Sequence, residues 1–361
     1  DVFQAGAGTS YNMNANEIIA NRANELLKSQ SIHPNNHVNM GQSTNDVIPT
    51  ATRLAVLFDL KGLTENILNT EQELKKIAQK HRKTIKVGRT HLMDAVPISL
   101  GQEFDSYKEA LQKSRKFIEQ QGKNLLILGI GGTAVGTGIN THPKYRELMI
   151  KNLKKLTGLN VSSGKNLTEM ANNMNDFMNF SAALRSLASN LLNLSGDLKL
   201  MNMGPKAGIS EIILREVQPG SSIMPGKVNP SIPECLDMIC MQVLGNDKTI
   251  ELACQKSQFE LNVYCPIIMY NLLQSIEILK NGLKMLNQLC LSTLEINSKQ
   301  VKKFLENSVC TATALSPHLG YDLTAEIVKS ALKKEISIKD EILNRKLLSS
   351  SKIDKILSKA V

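Results

Sequence analysis

The chain has 361 residues, 43 Lys and Arg against 33 Asp and Glu, a net charge of +10, and 42% hydrophobic residues, but only 4% aromatic ones and no Trp. That much apolar material in so long a chain excludes a disordered polypeptide, and no run approaches the roughly 18 apolar residues of a membrane-spanning helix. The scarcity of rings argues against modules that stack bases. Lysines are interspersed with acids, as in Glu71-Gln72-Glu73-Leu74-Lys75-Lys76, so the excess charge reads as solvated helix surface rather than as a nucleic-acid footprint.

In chain order, helical periodicity dominates after residue 48. Leu54, Leu57, Ile67, Leu74 and Ile77 recur at helical spacing and predict a helix from Pro49 to Ile85. Asn45 and Asp46 are read as its caps, and Gly88 as its end. Further helices are predicted from Leu100 to Leu126, Leu167 to Met203, Pro233 to Lys256 and Val263 to Leu291, the last interrupted by Pro266. No convincing series of alternating β-branched strands intervenes, which argues against a doubly wound sheet and for an all-α fold. Helices approaching thirty residues span on the order of 40 Å at about 1.5 Å per residue. Such rods predict a long helical bundle completed by other subunits. From about Lys299 the chain turns to short, Lys-rich amphipathic helices.

The six cysteines, Cys235, Cys240, Cys254, Cys265, Cys290 and Cys310, form no CxxC pair and mostly sit in apolar stretches. They read as buried reduced thiols, and with no signal peptide in view the expected compartment is the cytoplasm. The six histidines show no paired ligand spacing on one helix, so no metal site is expected. Two glycine loops invite a nucleotide reading and fail it. Five residues separate Gly220 from Gly226 where a P-loop needs four, and Val228 stands where Ser or Thr is required. Gly129-Ile130-Gly131 lacks the third glycine of a dinucleotide fingerprint.

Polar, glycine-bearing islands separate the helices: Ala5–Ser10, Met40–Asp46, Gly88–His91, Gly129–Thr133 and Gly220–Lys227. They are rich in Ser, Thr and Asn, carry one His and one Lys, and are poor in acids. Many donors beside a fixed cation are what a small dicarboxylate requires. For any one island taken alone, helix capping is the stronger reading. Only convergence of the loops separates the two readings.

The string Gly220-Ser221-Ser222-Ile223-Met224-Pro225-Gly226-Lys227-Val228-Asn229-Pro230 resembles the signature of the aspartase/fumarase superfamily. Gly41-Gln42-Ser43-Thr44-Asn45-Asp46 and Gly88-Arg89-Thr90-His91-Leu92-Met93-Asp94-Ala95-Val96-Pro97 resemble its other two blocks, in the expected order, and the likeness extends over essentially the whole chain. It implies a homotetramer with active sites shared between subunits. The expected domains are residues 1–46, carrying active-site loops of an N-terminal domain, 47–298, the central bundle, and 299–361, a small helical C-terminal domain. No cofactor is implied.

Thr44 after Ser43, Leu92 after His91, and the Ala5–Ser10 string favour the aspartate ammonia-lyase reaction, with the class II fumarase reaction on L-malate as the alternative. The resemblance assigns Ser221 as the base on a loop. Thr9, Ser43, Thr44 and Ser222 would bind the carboxylate next to the acidic carbon. Lys227 and Asn229 would hold the other carboxylate, helped by Thr90 and His91. Asn45, Thr90 and His91 would surround the amino group, and Glu234 would pair with His91.

Overall fold

The start of the first long helix shows how local chemistry sets an element. Ser43 Oγ accepts from Asn45 N at 3.2 Å while Asp46 Oδ1 accepts from Ser43 N at 3.1 Å. This reciprocal cap starts the helix at Thr44, five residues earlier than the periodicity indicates, with Ser43 rather than Asn45 or Asp46 as the cap. The computed structural model describes residues 1–357. Its elements are α1 (Thr9–Leu27), α2 (Thr44–Lys80), β1 (Ile85–Thr90), β2 (Met93–Ser99), α3 (Leu100–Asn124), β3 (Ile127–Leu128), α4 (Tyr145–Thr157), β4 (Ser162–Ser163), α5 (Leu167–Asn172) and α6 (Asn175–Asn202). There follow β5 (Ile212–Ile213), α7 (Ser231–Cys254), α8 (Cys265–Leu289), β6 (Glu295–Ile296), α9 (Ser298–Asn307), α10 (Ser316–Leu319), α11 (Tyr321–Lys334), α12 (Ile338–Asn344) and α13 (Ser350–Leu357).

The fold is all-α as expected, with four corrections. The stretch Ile85–Ser99 is an antiparallel hairpin rather than the end of a helix. Gly88 lies inside β1, where a Cβ would come within 2.5 Å of Val96 O. The predicted helix Leu167–Met203 is two helices, because Asn173 turns extended (φ −88°, ψ 113°) and its side chain accepts from Asn175 N at 2.9 Å. A side chain that caps the next helix competes with continuing the previous one. Helices α1 and α4 escaped the periodicity altogether. Pro266, read as an interruption, stands at the second residue of α8, where a missing N–H costs nothing.

The chain divides into two compact units. The first comprises Asp1–Leu68, Leu111–Leu192 and Cys235–Lys284. Its long helices bury apolar stripes, as α8 shows. Ile268, Leu272, Ile276, Leu279 and Leu283 of α8 are all without exposure, at spacings of three and four. Polar bonds fix which helices meet. Arg53 of α2, buried to 2%, donates to Asp176 of α6 at 2.9 Å and stacks on Phe177. Ser181 of α6 donates to Asp247 of α7 at 2.6 Å, and Asn246 of α7 donates to Ser275 of α8 at 3.0 Å. Lys280 of α8 pairs with Asp59 of α2 at 2.8 Å.

The second unit comprises Asn69–Ala110, Asn193–Glu234 and Met285–Val361. It holds the β1–β2 hairpin, the long loop before α7 and a small core under the C-terminal helices, built from Leu315, Ile327, Ala331, Ile338, Ile342 and Ile353 among others. The described cysteines are free thiols, all buried except half-buried Cys235, and burial pushes Cys240, Cys254, Cys265 and Cys290 up to about 12. No described helix is long and apolar enough to cross a membrane.

One buried acid dominates the C-terminal core. Glu341 accepts from Lys334, Ser330 and Arg345, whose hydrogen bonds hold its carboxyl down at about 2. A lowered folded value means that the stabilisation is complete above the unfolded value of about 4.3 and is lost as pH falls toward 2. Acid titration of thermal stability should therefore show a loss between about pH 4 and 2 that disappears in Glu341→Gln.

Candidate active site

In the first unit, the start of α1 and the start of α2 lie side by side. Gly8, with φ +92°, precedes Thr9, and a Cβ on it would stand 3.2 Å from the Ile48 side chain of α2. Ala7 N donates to Val263 O at 2.7 Å, which seats the same segment on the Asn262-Val263 stretch. Thr9 is exposed, and Ser43, Thr44 and Asn45 are half-buried.

Asp46 holds this corner together. Its Oδ2 accepts from Gly131 N at 3.0 Å and Thr133 N at 2.9 Å, while its other oxygen caps Ser43. Asn45 Nδ2 adds a bond to Ala134 O at 2.8 Å. The glycine loop is thereby tied to the Ser43–Asn45 turn. Burial raises the Asp46 carboxyl, and the N–H groups of Thr133, Ser43 and Gly131 oppose that rise. The buried Tyr145 hydroxyl has no hydrogen-bond partner among the described residues, and burial together with the Asp46 charge pushes it to about 12.

In the second unit, Thr90 pairs with Met93, so His91 and Leu92 form a two-residue hairpin loop. Their φ values are +57° and +62°. Such loops need positive φ at both centres and favour Asn-Gly. Two ordinary L residues there cost on the order of 1–3 kcal/mol each, a strain that clusters at functional sites. The hairpin thus presents an exposed imidazole at its tip. Below it, Lys86 and Arg89 of β1 meet Glu211, which has no exposure, at 3.0 and 2.8 Å. Asp94 of β2 accepts from Ser308.

The loop over residues 214–230 closes on itself. Ser221 N donates to Lys227 O at 3.1 Å and Lys227 N to Met224 O at 3.1 Å. A Cβ at Gly220 would lie 2.3 Å from Lys227 O, so the neck admits only glycine. Ser221 Oγ accepts from Ile223 N at 3.4 Å and Met224 N at 3.3 Å. Ser221 is half-buried, whereas Ser222, Lys227 and Asn229 are exposed. Glu234 is exposed in the first turn of α7, and among the described residues no hydrogen bond joins it to His91.

The predicted residues therefore form three groups: Thr9 with Ser43, Thr44 and Asn45, then Thr90 with His91, and Ser221, Ser222 and Lys227 with Asn229. Two buried carboxylates do more than the sequence reading assigned them: Asp46, read only as a cap, also ties down the glycine loop, and Glu211 was not singled out at all. Asp46 carried a usable signal in its Ser43-x-x-Asp46 capping spacing. Glu211 carried none, since it stands 122 residues from Arg89. Among the described residues no group of three or more His, Cys, Asp or Glu is placed to hold a metal ion.

Residues 1–245 match the lyase family, and residues 312–360 match the fumarase C C-terminus. The chain is 44% identical to the aspartate ammonia-lyase of Bacillus subtilis (strain 168), over 99% of this chain and 76% of that one. It is 41% identical to the class II fumarate hydratase of the same organism, over 99% and 78%. Among solved structures it is similar to a fumarate lyase:delta crystallin from Brucella melitensis, with TM-score 0.96 and 41% identity over 100% of this chain and 79% of that one. It is also similar to a class II fumarase from Schistosoma mansoni, with TM-score 0.94 and 35% identity over 99% and 79%.

The role of Asp46 is directly testable. Asp46→Ala leaves three buried or half-buried backbone N–H groups without their acceptor, and should cost at least about 2 kcal/mol in chemical denaturation. Amide exchange should rise first at Gly131 and Thr133.

Proposed function

The chain belongs to the aspartase/fumarase family of lyases, and from that premise we propose that it eliminates ammonia from L-aspartate to give fumarate. The observation that carries this reading is the self-closed loop of Ser221 and Lys227. A serine is a weak base at its ordinary pKa. Two N–H groups aimed at Ser221 Oγ and the Lys227 charge on the same loop favour its alkoxide.

The reaction runs as an anti-elimination. Ser221 Oγ takes a proton from the carbon beside one carboxylate, and the electron pair spreads into that carboxylate as an aci-carboxylate. The double bond then forms as the C–N bond breaks, and its electrons leave with the nitrogen as ammonia. The dianionic group needs several donors that act mainly in the transition state. Thr9, Ser43, Thr44 and Ser222 supply them. Lys227 gives the second carboxylate a point charge and Asn229 a directional amide. Asn45, Thr90 and His91 surround the amino group, and Glu234 orients His91. Thr44 and Leu92 support aspartate over malate. The near-equal identity to a class II fumarate hydratase keeps malate dehydration as the second reading.

The three groups of site residues come together between chains of a homotetramer in this reading. Met238, Met241 and Leu252 support assembly, since they leave exposed apolar side chains on α7, and Phe58 is exposed on α2. Light scattering should therefore give a mass near four chains, and a fully active monomer would sink the shared site.

Absorbance of fumarate, followed with each substrate separately, should show release from L-aspartate with L-malate slower by orders of magnitude. Efficient malate dehydration without ammonia would reverse the substrate assignment. Ser221→Ala should lower kcat by about 10²–10⁴-fold with KM nearly unchanged, the usual share of a general base. Lys227→Ala should weaken binding as well, by about 1.5–3 kcal/mol. Retention of more than about a tenth of kcat in Ser221→Ala would assign the base elsewhere.

A further inference from the structure

Four charged side chains of the second unit meet below the histidine hairpin and take no part in the elimination itself. Lys86 and Arg89 belong to β1, Glu103 to the first turn of α3, and Glu211 directly precedes β5. Lys86 Nζ lies 2.8 Å from Glu103 Oε2 and 3.0 Å from Glu211 Oε2. Arg89 reaches Glu211 Oε1 at 2.8 Å. Two cations balance two carboxylates, as burial demands.

The two acids differ in how they are held. Glu103 is partly exposed on a helix surface, whereas the Glu211 side chain has no exposure. The Glu211 backbone is clamped on both sides. Its N–H donates to Met201 O at 2.8 Å, near the end of α6, and its C=O accepts from Asn297 N at 2.9 Å. Asn297 in turn caps α9, whose Phe304 ring lies 5.6 Å beneath the Arg89 guanidinium. Glu211 is thus a fixed post to which β1 is tied. Arg89 is the residue before Thr90 and two before His91.

A two-residue loop with positive φ at both non-glycine positions does not hold its shape by local preference. The surrounding structure must determine it. On β1 the Arg89–Glu211 pair is the nearest side-chain anchor to that loop. From the same point of the backbone the chain runs through Ile212 and Ile213 to the Ser221 loop.

We propose that Glu211 is a positioning residue: through Arg89 it fixes the Thr90–His91 turn, and from its clamped backbone it sets the start of the segment that carries Ser221. This rests on the reading of Thr90, His91 and Ser221 as site residues. The structural alternative is that the four charges only stabilise the unit.

Three variants separate the two. Glu211→Gln should lower kcat by about 30- to 100-fold, as displacement of a catalytic group does, with KM within about threefold. Amide exchange over residues 90–93 should rise about tenfold. Glu103→Gln removes a partner from Lys86 alone. It should lower the thermal midpoint while kcat and exchange at the turn stay within about threefold of wild type. Arg89→Lys keeps the charge but loses the guanidinium fork. It should reproduce the kcat loss, and it carries the test if Glu211→Gln does not fold. Equal kcat losses in Glu211→Gln and Glu103→Gln, or unchanged turnover and exchange in Glu211→Gln, would overturn the proposal. A wild-type protein inactive on both L-aspartate and L-malate would defeat the reading of the site. The exchange comparison between the two glutamate variants would still decide whether Glu211 holds the turn.

Discussion

A carboxylate taken out of water must be met by donors, and in this chain two such carboxylates tie polar loops that the hydrophobic core does not reach. The candidate loops are made largely of serine, threonine, asparagine and glycine, which offer little apolar surface to bury. Burial therefore cannot hold these loops in place. Asp46 does so in the first unit by accepting backbone N–H groups from two loops. Glu211 does so in the second by accepting from a strand while its own backbone is clamped on both sides. An unmet charge in either position would cost far more than a lost surface contact, so each bond is strongly specified.

The two loops with the most chemical potential are stabilised in different ways. The His91–Leu92 turn stores backbone strain and depends on its anchors. The Ser221 loop is held by its own internal hydrogen bonds, with glycine at its neck and three apolar side chains, Ile223, Met224 and Val228, left open to solvent. Strain in one loop and self-closure in the other are both ways of fixing polar groups before a substrate arrives, and preorganised donors are what stabilise a developing dianion.

The bundle of the first unit supplies the rigid base. Its helices bury apolar stripes at spacings of three and four, and the polar groups inside it are paired across helices: Arg53 with Asp176, Ser181 with Asp247, and Asn246 with Ser275. Those pairs specify which helix meets which, where apolar packing alone would tolerate a slip.

The sequence by itself determined the helical class, the family, and the islands in which the candidate residues stand. Apolar periodicity over twenty or more residues is a strong signal, and a string as long as Gly220–Pro230 leaves little room for chance. Shorter signals failed for physical reasons. The hairpin was missed because Gly88 and Pro97 interrupt its alternation, and the break at Asn173 because a single side-chain cap ended one helix and began another. Polar composition hid α1. Only the tertiary structure decided that His91 and Leu92 both adopt positive φ, that Asp46 joins two loops, and that Glu211 meets Lys86 and Arg89. A buried ion pair between residues 122 apart leaves no mark on local sequence, because its energy arises only when folding removes both partners from water.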